Sequence, residues 1–404
     1  MFQTAFTYQL THFARFLSLP ERLQNAPLRN LTLEPLRQRN TALDAFFYDI
    51  KVVTPDEAFY ISDSLAAVGS LLIVPPSGQG QLTLCDTLDE YFLRGGAEVT
   101  VLALAGAGGS ALGAAAFARN VADAVGKPVA TVVPGYGIAD AIGEVMGGSF
   151  LFGWLGQVRH GFESVDDLSG RPHYGVDPEK NAAAAACPHH CRDVQTVLAL
   201  LADPRAKIGL LAAHSRGNTM LSEALTAMRG IDAKRLADIA ASARVVTFGA
   251  KIAMPPVFTD VIDVIGEWDW FGEINSRPFI ATDRRIGNVG HHTNTEIPGH
   301  IDVANVLREI LAAGPQAGNE ENIETAETAL QSVTSEPQGE AAAEAVPQQD
   351  AAPVEEPRPA GSPVEPAPLK RALETSAAIA PAPAPVLPMI APEKRRPRKP
   401  RAAR

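Results

Sequence analysis

The chain has 404 residues, 46% of them hydrophobic, which is enough for a sizeable core, and a formal net charge of −11. Before residue 313 there are 33 acidic against 25 basic residues, a net of −8, so this part carries no electrostatic signature of nucleic-acid binding. Three cysteines (Cys85, Cys187, Cys191) suggest no disulfide framework, the opening "MFQTAFTYQLTHFARFLSL" has no secretory pattern, and no run reads as a membrane span, so a cytoplasmic location is expected.

Residues 1–45 carry helical periodicity and are read as an N-terminal helical segment. "DAFFYDIKVV" and "EAFYISD" fit a pair of early strands, and "SLLIVPP" (70–76) reads as a buried strand. The rest of 46–312 alternates. A helix "LTLCDTLDEYFLRGG" is followed by a strand "AEVTVLALA", a Gly-rich loop "GAGGSALG", a helix "AAAFARNVADAVGK" and a strand "PVATVVPGYG". The stretch 137–186 breaks this rhythm and reads as an insertion or lid. The alternation then resumes with helix "CRDVQTVLALLADP", strand "KIGLLAAH", helix "NTMLSEALTAMR", strands "ARVVTFGA", "DVIDVIGEWDW" and "RRIGNVGHH", and a closing helix "IDVANVLREILAA". Such alternation specifies an α/β fold: a mostly parallel sheet with helices on both faces.

Residues 313–404 differ in kind. They are rich in Ala, Pro, Glu and Gln, and no Phe, Trp or Tyr follows Phe279, so a disordered tail is expected. Charged residues are all acidic from 313 to 357, whereas the end, "EKRRPRKPRAAR", is nearly all cations and prolines. That tip suits nucleic acid or another polyanion, or is an incidental end to a solubilising tail.

The segment "IGLLAAHSRGNTMLSEAL" (208–225) sets Ser215 at a strand-to-helix corner, within A-H-S-R-G. Small residues at Ala213 and Gly217 let such a corner turn sharply, and the helix N-terminus favours developing negative charge. A nucleophilic serine also needs an orienting carboxylate and a histidine base, each after a later strand. "VIDVIGEWDWFGE" offers Asp269 at its end, with Glu267 second and Asp263 inside the strand. "VGHHTNTEIPGHID" offers His291 first and His292 next, and His300 opens the closing helix.

With these residues in that order, 70–312 resembles the α/β-hydrolase fold. "LLAAHSRGNTMLSEAL", "VVTFGAKIA" and "GEWDWFGEI" are similar to segments of its lipase- and esterase-like members. The resemblance implies a serine hydrolase with Ser215 as nucleophile, Asp269 as orienting acid and His291 or His292 as base, acting on hydrophobic esters without a cofactor. It further implies an oxyanion hole built from the Arg216 N–H and from Ser77 or Gly78 in the turn "PPSGQG". The Arg216 side chain either contacts an acidic group on a substrate or pairs structurally. A reading of another class is a non-catalytic hydrolase-fold scaffold whose basic tail binds a polyanion or a storage granule.

Three other signals read as structural. "LALAGAGGSALG" is a variant dinucleotide fingerprint, but the next strand lacks the confirming carboxylate. "CPHHC" (187–191) packs its thiols and imidazoles too closely to surround one ion, so no metal is expected. "GGSFLFGWLG" (147–156) reads as core or as a wall over the serine.

Overall fold

The computed structural model describes residues 2–25, 27–62, 65, 67–106, 108–135, 174–177, 181–186 and 191–314. The expected insertion lies outside these, except for 174–177 and 181–186, and so does the tail from 315.

Eight strands form one sheet: β1 (Leu71–Val74), β2 (Thr83–Cys85), β3 (Val101–Leu104), β4 (Val129–Val132), β5 (Leu210–His214), β6 (Arg244–Phe248), β7 (Val261–Gly266) and β8 (Arg284–Ile286). Their order is β2-β1-β4-β3-β5-β6-β7-β8. The strands from β3 to β8 run parallel, whereas β1 is antiparallel to both β2 and β4, with Val74 opposite Val129. β3 to β6 are buried along their whole length, which is why they read as continuous apolar runs.

Successive side chains on each strand enter opposite cores. Leu72, Ala103, Ala212, Val246 and Val264 pack with helix α6 (Ala111–Val125) and the closing helix Val303–Ala312. Leu71, Leu102, Leu211, Ala213 and Val245 pack with the helices Arg192–Ala202, Arg216–Ile231 and Ala233–Ala240. No helix among the described residues is long and apolar enough to cross a membrane.

Two local readings are corrected. The expected early strands are the end of helix α3 (Pro27–Phe47), a 3-10 turn (Ile50–Val52) and helix α4 (Pro55–Ile61). Here Thr54 and Glu57 form a reciprocal capping box, with Pro55 in the first turn, and this start signal outweighs the strand-like alternation. The helix expected over "LTLCDTLDEYFLRGG" is split: β2 pairs with β1, and only α5 (Leu88–Leu93), capped by Thr87, is helical.

The chain begins with α1 (Phe2–Leu17) and α2 (Leu19–Asn25), which lead into α3. These helices pack in the same compact unit as the sheet, with α3 against α6. Strand order reverses beside β3: the chain moves to β4 on one side and returns to β5 on the other. The helices after β3 and β5 therefore pass to opposite faces, and the carboxyl ends of these strands form the topological switch point of the sheet.

Candidate active site

Ser215 stands at that switch point, between β5 and the helix Arg216–Ile231, at φ 56° and ψ −125°. A side-chain-bearing residue held there stores about 1–3 kcal/mol of strain. The corner is fixed by neighbours: the Ser215 N–H donates to the Phe248 carbonyl at 2.9 Å, and Asn218 Nδ2 donates to the Phe248 and Ala250 carbonyls. Gly217 explains itself through close approach, because a Cβ there would lie 2.1 Å from the Leu104 carbonyl oxygen of β3.

Asp269 ends the β7 segment and caps the short helix Trp270–Ile274, accepting the Gly272 N–H at 2.6 Å. Both its carboxylate oxygens lie 2.9 Å from His291 Nδ1, so that nitrogen donates to Asp269. The acid is buried, and His291 is nearly so. His291 Nε2 is also buried, and among the described residues it has no hydrogen-bond partner, Ser215 Oγ included.

His291 and Ser215 converge on the corner after β6. Gly249, next to the carbonyl that holds Ser215, has φ +70°, and a Cβ there would lie 2.8 Å from His291 Cε1. The His291 ring sits 4.9 Å from that of His214, the residue before Ser215, and contacts Phe47 and Phe271 edge-on.

The N-terminal segment builds much of this site. Tyr48 Oη accepts the Gly106 N–H at 2.7 Å and lies 3.0 Å from His214 Nδ1. His214 Nε2 faces the His291 carbonyl at 2.9 Å. A carbonyl only accepts, so Nε2 carries the proton and Nδ1 accepts from the Tyr48 hydroxyl. Burial, and next the neighbouring His291, hold the His214 pKa well below the usual imidazole range, so the ring is neutral. This chain of bonds ties the loop after β3 to the elbow at Ser215, and that elbow to His291. The loop that carries His291 is pinned independently: the Thr293 N–H donates to the Phe47 carbonyl at 2.7 Å, Asn294 Nδ2 to the Ala45 carbonyl at 2.8 Å, and Thr295 Oγ1 to Asp49 at 2.7 Å.

The expected donors Ser77 and Gly78 are not at this site. β1 runs against β4, so its far end lies at the amino ends of the parallel strands, across the sheet from Ser215. There the Ser77 N–H and hydroxyl bond to Asp123 near the end of α6. The loop facing the elbow is instead the Gly-rich turn after β3, where a Cβ on Gly106 would lie 2.6 Å from the Arg216 nitrogen and 2.3 Å from that of Gly217. The turn is braced by Asp44, whose two oxygens accept the Gly108 and Ser110 N–H groups, each at 2.8 Å. Burial lifts the Asp44 carboxyl to about 7 against the lowering effect of these bonds. A carboxylate of this chain thus occupies the anion position at the start of α6, where a dinucleotide phosphate would sit.

The remaining candidates lie apart from the pair. Glu267 accepts the Asn288 N–H at 2.9 Å, His292 sits by Phe46 and the Ile297 carbonyl, and His300 bonds to the same carbonyl. The Arg216 side chain pairs with the buried Asp193 at 3.0 Å and donates to the Gly135 carbonyl, which ties the elbow helix to the end of β4. Of the five-residue "CPHHC", only Cys191 is described, buried at the start of Arg192–Ala202; "GGSFLFGWLG" lies outside the described residues. No group of three or more His, Cys, Asp or Glu side chains poised for a metal occurs among the described residues. The sequence carries no functional signal for Asp44, Tyr48 or His214: the first two lie in "DAFFYDIKVV", which reads as a strand, and His214 stands beside the serine within A-H-S-R-G. No family model matches this chain, and neither a curated protein nor a solved structure matches it.

Proposed function

We propose that the chain is a serine hydrolase of the α/β-hydrolase family, cleaving hydrophobic carboxylic esters through Ser215, His291 and Asp269. The observation that carries this reading is His291, held by Asp269 through Nδ1, with an Nε2 that has no hydrogen-bond partner among the described residues, converging with a strained serine on one corner. The hydrogen bond between nucleophile and base often tightens only when substrate binds. His291 Nε2 takes the Ser215 proton as Oγ attacks the ester carbonyl carbon. The tetrahedral oxyanion collapses, the carbon–oxygen bond breaks, and the alcohol leaves with the proton returned by His291. Water then repeats the sequence on the acyl-enzyme and releases the acid. The Arg216 N–H at the start of Arg216–Ile231 supplies an oxyanion donor, while the Gly106, Gly108 and Ser110 amides of the turn after β3 are already bonded to Tyr48 and Asp44. Exposed Trp268 and Trp270 flank Asp269, and exposed Phe46 stands by His292, which suits an apolar substrate.

A fluorophosphonate probe is expected to label the wild-type protein and to fail on Ser215→Ala; labelling that survives the substitution refutes the assignment. The tail's cation-rich end supports a second, compatible role, in which it holds the enzyme on a polyanion in the cytoplasm. Salt-sensitive binding of the full chain to DNA, lost when residues 393–404 are removed, tests that role.

A further inference from the structure

Helix α1 is amphipathic in the inverted sense. Its inward face is polar. Thr7, Thr11 and Arg15 are buried, and Arg15 forks onto Glu34 at 2.7 and 2.9 Å while donating to the Ser62 carbonyl at 2.9 Å. Its outward face is aromatic, with Phe2 84%, Phe6 51%, Phe13 58% and Phe16 68% exposed and Leu17 beside them. The other fully exposed positions on α1 are Gln3, Ala5 and Gln9, so the exposed positions carry no ionisable side chain, and the partly exposed His12 flanks them. The helix cannot roll to hide its rings without stripping Arg15 from Glu34, a cost that fixes the exposure.

The spacing of the rings selects the occupant. Phe2, Phe6, Gln9, Phe13 and Phe16 advance by steps of four, three, four and three, the period of a seam between two helices. The seam also reads nearly the same backwards: Phe2 and Phe16 lie seven residues either side of Gln9, and Phe6 and Phe13 three and four. A surface that superposes on itself when reversed is what a two-fold interface requires.

We propose that α1 is an isologous interface, packing antiparallel on α1 of a second copy of this chain with the two-fold axis beside Gln9. Phe2 then meets Phe16 of the second copy, and Phe6 meets its Phe13. With about 200 Å² for a fully exposed ring, the seam presents roughly 500–600 Å² per protomer, so about 1,100 Å² in all, just beyond what a specific interface needs. An anionic lipid surface fits less well, since that mode uses a basic rim, which this face lacks.

Sedimentation of the full chain tests this directly. The wild type is expected at twice 42.8 kDa, and Phe6→Glu with Phe13→Glu at the single mass with unchanged circular dichroism. In a Cys187→Ser background, Gln9→Cys is expected to give a disulfide-linked dimer on mild oxidation, and Gln3→Cys, off the seam, is not; Cys85 and Cys191 are buried. The proposal is overturned by a monomeric wild type, by a dimer that survives both glutamates, or by equal cross-linking at positions 3 and 9. A monomeric wild type that co-sediments with phosphatidylcholine vesicles also overturns it and assigns the face to lipid.

Discussion

Tyr48→Phe is the most incisive perturbation, because it deletes one oxygen and leaves the ring. Tyr48 is fully buried, and its hydroxyl serves two fully or nearly buried partners, the Gly106 N–H at 2.7 Å and His214 Nδ1 at 3.0 Å. Without it both are orphaned, at roughly 1–3 kcal/mol each, so the expected destabilisation is about 2–6 kcal/mol. For a domain of this size, ~2–4 °C is lost per kcal/mol, which makes the fall in Tm at least ~4 °C and as much as ~24 °C. Tyr91 supplies the internal control. It is equally buried, but its hydroxyl has no hydrogen-bond partner among the described residues, so Tyr91→Phe removes an unsatisfied group and is expected to be neutral or stabilising. Thermal and urea unfolding of both variants, read by circular dichroism, check the contrast. Equal shifts for the two substitutions, or a Tyr48→Phe protein as stable as wild type, would refute the relay from Gly106 through Tyr48 and His214 to His291.

His291→Asn is expected to abolish fluorophosphonate labelling, whereas His292→Asn retains it within about tenfold, because only His291 touches Asp269; labelling rates separate the two. Asp263, buried on β7 against Thr247 with Asp283 and Lys251 nearby, has its carboxyl raised by burial from about 3.8 to about 7. A carboxyl whose folded pKa is raised binds its proton more tightly when folded. It therefore withdraws stability as pH rises from the unfolded value to the folded one. Asp263→Asn keeps an acceptor for Thr247 without the ionisation. Its urea midpoint is accordingly expected to gain on wild type between about pH 4 and about pH 7, and a gap that stays constant or narrows contradicts the assignment.

Much of the frame was legible because burial on both faces leaves a strong local mark. "VLAL", "LLAAH" and "RVVTF" are buried along their whole length and mostly apolar, and a helix pattern follows the first two. The direction of β1 left no such mark, since a buried strand reads alike whichever way it runs, and the oxyanion assignment to Ser77 and Gly78 failed on that point. The Gly-rich turn after β3 was visible, but its partner Asp44 lies 64 and 66 residues away from the amides it binds, and Tyr48 lies 166 from His214. Contacts over such separations are set by packing and leave no periodicity in either segment. Thr54-Pro55-Asp56-Glu57 was a readable helix start, passed over for an alternation of apolar residues that continued through it.

By itself the sequence determined the α/β class, the corner at Ser215 and the order in which a carboxylate and a paired histidine follow it, because these depend on local patterns of hydrophobicity and turn residues. Tertiary structure alone decided which histidine reaches Asp269, since His291 and His292 differ only in the side of the loop they face. It likewise decided which loop stands over the elbow, and it made the N-terminal helices the support of the base loop. Those outcomes depend on strand direction and on buried hydrogen bonds between distant segments, which form only when the whole chain closes on one core.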